Sequence, residues 1–149
     1  MANYKKASVV LLATATGTQT INNAASGVRL QWTEVADQTN YATATTHFTN
    51  NIFTAPYDGF YMVNLSLYYG PTVTLTTGFV SVVKNSSLAG GILMFSGAVV
   101  EGAVQNASRM FKLTAGETLQ FYVAQTSGSA QTPDATNTVL SIVRVGNAS

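Results

Sequence analysis

The side chains that could do chemistry are few in this chain and stand apart from one another. The single histidine, His47, lies in a Thr-rich segment with no serine or acidic residue spaced near it as a triad would require, and reads as a polar surface or interface residue. The acidic residues Glu34, Asp37, Asp58, Glu101, Glu117 and Asp134 are each isolated, without the paired spacing of a glycosidase or the spacing of a calcium loop. Asp58 reads as the residue that precedes a turn glycine. With no cysteine there is no thiolate to attack a substrate or bind a metal, and no disulfide framework. Gly90-Gly91 lacks the lysine and helix of a phosphate loop. Asn64-Leu65-Ser66, Asn85-Ser86-Ser87, Asn106-Ala107-Ser108 and Asn147-Ala148-Ser149 match the glycosylation acceptor pattern, which an Asn- and Ser-rich chain produces by chance. The expectation is a protein without catalysis, cofactor or metal.

A chain of 149 residues makes one domain, long enough to bury about two-thirds of its unfolded surface. Charged residues are only 9%, against about 25% in an average soluble domain, and the formal net charge is +1. Attraction to nucleic acid or to an anionic membrane is therefore not expected. No apolar run approaches the roughly 18 to 20 residues of a membrane span. Lys5 to Ala15 has the basic start, apolar run and small residues of a secretory signal, but the apolar run is short and reads better as a first strand behind a basic arm. The polar surface must come from Thr, Ser, Asn and Gln, a composition common where neighbours cover the exterior.

The elements that must position these residues are strands. Phe53-Thr54-Ala55-Pro56-Tyr57-Asp58-Gly59 is a punctuated turn that opens into a long alternating segment. There Tyr61, Val63, Leu65, Leu67 and Tyr69 share one face, with Asn64, Ser66 and Tyr68 on the other. Further strands are expected at Ala7 to Ala13, Val28 to Val35, Thr72 to Lys84, Ile92 to Phe95, Ala98 to Leu113, Thr118 to Gln125 and Thr138 to Val145. Thr14 to Gly27 reads as loop or irregular edge, and Asp37 to Asn51 as loop plus a short strand. Turn-linked strands at intervals of about ten residues, without helical periods, predict a double-sheet jelly roll. Residues 1–27 would form an N-terminal arm and first strand, and 28–149 the remainder of the single domain. Trp32, Phe53, Tyr61, Val63, Leu65, Leu119, Phe121 and Val143 are the expected core.

The pattern Phe53-x-x-Pro56-x-x-Gly59-x-Tyr61 followed by alternating apolar residues resembles the central motif of the tumour-necrosis-factor and complement globular-head superfamily of jelly rolls. Val83-Lys84-Asn85 is similar to the family's strand ending in a Lys-Asn turn, and Leu113-Thr114-Ala115-Gly116-Glu117-Thr118-Leu119 to its Leu-x-x-Gly-acidic-x-apolar hairpin. Val139 to Val143 departs from the family's Phe- and Gly-containing closing strand. Asn51 stands where Gly is usual, and asparagine tolerates the left-handed backbone that Gly would supply.

The resemblance implies a homotrimer packed about an axis through aromatic and aliphatic side chains. Phe60, Met62, Tyr68, Gln120 and Tyr122 are the candidate interface residues, because they alternate with the core positions. Some members bind calcium, but with the acidic residues isolated a site on Asp134 or Asp37 is not expected here. The fold hosts cytokines, complement heads, spore-surface proteins and viral proteins, so function rests on other features. The absence of cysteine and of a collagen-like stalk, with the low-charge Thr- and Ala-rich surface, favours a virion structural protein, a bacteriophage capsid decoration trimer. Its partner would be the major capsid protein, contacted by the arm Met1, Ala2, Asn3, Tyr4, Lys5 and Lys6. The alternative is a receptor- or glycan-binding tip of a viral fibre or bacterial surface protein, with aromatics at Tyr41 or at Tyr68-Tyr69; only about 27 residues precede the domain, too few for a shaft.

Overall fold

The computed structural model of the protein describes residues 8–17, 19–34, 47–87 and 91–147, so the arm Met1 to Lys6, Asp37 and Tyr41 lie outside the described residues. The described residues form β1 (Ser8–Ala15), β2 (Ala24–Arg29), β3 (Trp32–Glu34), β4 (Phe48–Thr49), β5 (Ile52–Thr54) and β6 (Gly59–Leu67). They continue as β7 (Leu75–Lys84), β8 (Ile92–Val99), β9 (Gln105–Leu113), β10 (Thr118–Thr126) and β11 (Val139–Gly146). Two antiparallel five-stranded sheets result, ordered β3-β1-β11-β6-β9 and β4-β5-β10-β7-β8. The chain passes repeatedly between the sheets, and the architecture is a jelly-roll sandwich.

Side-chain alternation explains the packing. In β6, Tyr61, Val63, Leu65 and Leu67 point into the sandwich and are essentially inaccessible, while Phe60, Met62, Asn64 and Ser66 face out. Phe53, Leu113, Leu119, Phe121, Leu140 and Ile142 fill the same space from both sheets. Two aromatic pairs lock the sheets together edge to face: Trp32 of β3 meets Phe121 of β10 at 6.3 Å and 88°. Phe53 of β5 meets Tyr61 of β6 at 5.7 Å and 62°.

Seven of the eight expected core residues are buried, and Val143 is the correction. Leu140 and Ile142 take the inward positions of β11, which leaves Val143 facing out beside Met62. Two expected strands also divide, and β2 begins at Ala24, inside the segment Thr14 to Gly27 expected as loop or irregular edge. The expected strand Val28 to Val35 breaks at Leu30-Gln31, because the chain changes sheets there. The Leu30 N–H donates to the Phe121 carbonyl on one side, whereas Trp32 pairs with Ala15 on the other. Gln19 supports the crossing, its Oε1 accepting from the Gln31 N–H and its Nε2 donating to the Gln31 carbonyl, each at 2.9 Å. The expected strand from Ala98 to Leu113 is two strands, with a turn at 100–104 in which Gly102 adopts φ +69°. β8 correspondingly runs on to Val99.

The turns follow local chemistry. Asn50 and Asn51 join β4 to β5 with φ 53° and 63°, the left-handed pair that a tight hairpin needs. Asn51 also accepts the Trp32 N–H on its Oδ1 at 2.7 Å, a tie that glycine could not make. Gly59 is required for space, since a Cβ there would lie 2.6 Å from both Arg144 Nε and the Gly146 carbonyl.

Candidate interaction face

The outer surface of the β3-β1-β11-β6-β9 sheet is built from two kinds of row. Cross-strand register sets Val143, Met62 and Met110 side by side on β11, β6 and β9. Phe60 lies next along β6, opposite the exposed Lys112, so an apolar stripe crosses three strands, while Leu12 faces out from β1 opposite Ser141, in the neighbouring polar row. Met110 is 50% exposed and Val145, at the end of β11, 44%. Adjoining rows are polar and paired across strands: the Ser108 hydroxyl donates to Asn64 Oδ1 at 2.6 Å, and the Ser66 hydroxyl to Asn106 Oδ1 at 2.7 Å. Uncharged rows with part of their hydrogen bonding met within the sheet cost less to desolvate than charged ones, and the stripe gains by it. Chemically, the face suits docking of another neutral surface.

The five residues expected to line a trimer interface go to three places. Phe60 and Met62 belong to the stripe. Tyr68 lies past the end of β6, beside a groove at the far edge of the same face. Gln120 and Tyr122 stand on β10 of the other sheet. There the Gln120 amide donates to Ser86 Oγ at 2.6 Å and accepts the Tyr122 hydroxyl at 3.1 Å. β2 runs close by, near enough that a Cβ on Gly27 would lie 3.3 Å from that of Tyr122. Tyr122 thus packs beneath another segment of its own chain. Met110 and Val143, which complete the stripe, were not among the expected interface residues; their signal was the alternation of β9 and β11.

Three of the isolated acidic residues, Asp58, Asp134 and Glu117, hold turns together. Asp58 Oδ1 accepts the Ala115 N–H at 2.8 Å, tying the loop at 56–58 to the β9–β10 turn. Arg144 holds that loop from the other side, donating to the Asp58 carbonyl at 2.6 Å and lying over the Tyr57 ring. Asp134 Oδ1 accepts the N–H groups of Thr136 and Asn137. Glu117 gathers the two turn motifs: its Oε2 accepts Lys84 Nζ and the Thr114 N–H, each at 2.8 Å, and its Oε1 accepts Asn85 Nδ2 at 3.1 Å. The Lys84 hydrogen bond, helped by the Thr114 N–H, holds the Glu117 carboxyl below the usual carboxylate range. His47 is half-buried just before β4. Among the described residues no group of three or more His, Cys, Asp or Glu side chains could hold a metal. No helix in them is long and apolar enough to cross a membrane.

No protein-family model and no curated protein matches this sequence. Solved structures do. Murine APRIL is similar at 13% identity with a TM-score of 0.63, over 94% of this chain and 100% of that one. Eiger TNF from S. frugiperda is similar at 13% identity and TM-score 0.61, over 93% of each chain. Likeness at this identity concerns the backbone alone: the fold is the TNF-like jelly roll.

Proposed function

We propose that this chain works as a homotrimeric head that covers a larger assembly, a virion structural protein decorating a capsid through contacts with the major capsid protein. The observation that carries the trimer is the stripe of Val143, Met62, Phe60 and Met110 across the outer face of one sheet of a TNF-like fold. Three copies packing this face about an axis would remove the stripe from water and leave the other sheet and both loop ends for a larger partner. A chain with only 9% charged residues supports contact with a neutral protein lattice over steering to a charged polymer. The arm Met1 to Lys6 is the proposed tie to the shell.

A decoration protein of this kind binds the assembled lattice, so mass action raises the particle's resistance to unfolding. The test strips the protein from particles and compares their melting with re-coated ones. Re-coating is expected to raise the melting temperature, with light scattering giving three times the 15.7 kDa chain mass for the free protein. Equal melting, or binding to whole host cells but not to stripped particles, would replace the capsid reading with a receptor-binding head.

A further inference from the structure

Beyond the stripe on the same face, where β6 ends and β9 and β11 begin, lies an open groove of about 540 Å³ lined by Ser66, Tyr68, Val104, Asn106, Asn137, Val139 and Thr136. That volume falls within the range of about 300–1,000 Å³ typical of small-molecule sites. We infer that this groove binds a neutral sugar. The inference does not rest on the capsid reading, but it requires the proposed trimer contact to centre on Val143, Met62 and Met110 and to leave the Val139, Ser66 and Asn106 row of the same face open.

The lining has no charged side chain, so nothing in it recompenses the desolvation of an ionic ligand. It does offer an aromatic ring and two valines beside amides and hydroxyls. A pyranose needs that combination: its C–H face packs on an aromatic surface while its hydroxyls exchange hydrogen bonds with amides at the edge. The polar groups keep capacity for a ligand. Asn106 uses Oδ1 to accept Ser66, which orients Nδ2 as a donor. Asn137 gives its Nδ2 to Asp134 at 3.0 Å, which orients Oδ1 as an acceptor. Neither remaining atom has a hydrogen bond within the chain among the described residues.

The groove is also held in shape before any ligand arrives. The Tyr68 N–H donates to Thr138 Oγ1, and the Thr138 hydroxyl donates to the Tyr68 carbonyl, each at 3.1 Å. The same carbonyl accepts the Asp134 N–H at 2.8 Å. Asp134 then caps the turn that carries Thr136 and Asn137. One network thus ties the Tyr68 backbone to the turn that carries Asn137, which lowers the ordering cost of binding.

The test titrates the full chain with methyl glycosides of glucose, galactose, mannose and N-acetylglucosamine at millimolar concentration, followed by amide chemical shifts. At least one neutral glycoside is expected to shift residues of the groove, and N-acetylneuraminate, an anion, to shift none of them. Tyr68→Ala and Asn106→Ala should each weaken binding about tenfold while preserving the rest of the spectrum and the particle mass. Shifts by no neutral sugar, shifts located elsewhere, or binding unchanged in both variants would overturn the inference. A change of particle mass in wild type bears on the trimer alone, so the two readings fail separately.

Discussion

At the scale of single residues, alternation within one strand decides which substitutions matter. Leu65 is buried at 1% exposure and Phe121 is inaccessible, so replacing either with alanine should cost about 2–5 kcal/mol in chemical denaturation. Val143→Ala in the isolated chain should cost under about 1 kcal/mol, because its side chain faces out of the sandwich. Equal losses at Leu65 and Val143 would mean that the two faces of the sheet are exchanged. Gly59 behaves differently from a turn glycine chosen for its φ. Its Cβ position is occupied by Arg144 and the Gly146 carbonyl, so Gly59→Ala should push Arg144 off the 56–58 loop and lower the melting temperature. Pairing it with Arg144→Ala, which vacates part of that space, should make the double variant's loss smaller than the sum of the single losses. The sequence motif marked Gly59 as a turn residue; the reason for it lies 85 residues away, and no local pattern carries that.

At the scale of elements, the Lys84-Asn85 turn after β7 and the β9–β10 hairpin meet through Glu117. Both motifs were legible in the sequence, because turn residues announce themselves locally; that they form one cluster was not, since residues 84 and 117 meet only when β7 pairs with β10. The folded carboxyl titrates below its unfolded value. Its contribution to stability is therefore present above the ordinary carboxylate range and disappears as the pH falls through the folded value. Glu117→Gln should accordingly lower the melting temperature near neutrality, and the gap between variant and parent should close in acid. The Lys84 and Glu117 side chains are 33% and 24% exposed, so salt should shrink the gap as well. A gap that is constant from neutral to acid pH would remove the charge from the explanation.

At the scale of the whole molecule, the stripe on the first sheet is the feature that a single copy leaves unused. Met62→Glu with Met110→Glu should break the proposed trimer to a monomer in light scattering while far-ultraviolet dichroism stays that of a β-protein, since both side chains lie outside the sandwich core. A trimer that survives both charges would place the contact elsewhere. Gln120 and Tyr122, on the opposite sheet, serve as the control: their substitution should alter stability through Ser86 and β2 but not the particle mass.

Taken by itself, the sequence determined the jelly-roll class, the order of most strands, the inward face of β6 and the left-handed Asn51, because period-two alternation and turn chemistry act over a few residues. Only the tertiary structure decided where the chain changes sheets at Leu30-Gln31, that Val99 and Gln105 belong to different strands, and that Phe60 and Met62 share a surface with Met110 and Val143 but not with Tyr122. Those outcomes depend on which strands become neighbours. Neighbours are selected by burying two sheets against each other at once, a condition on the whole chain that no window of residues contains.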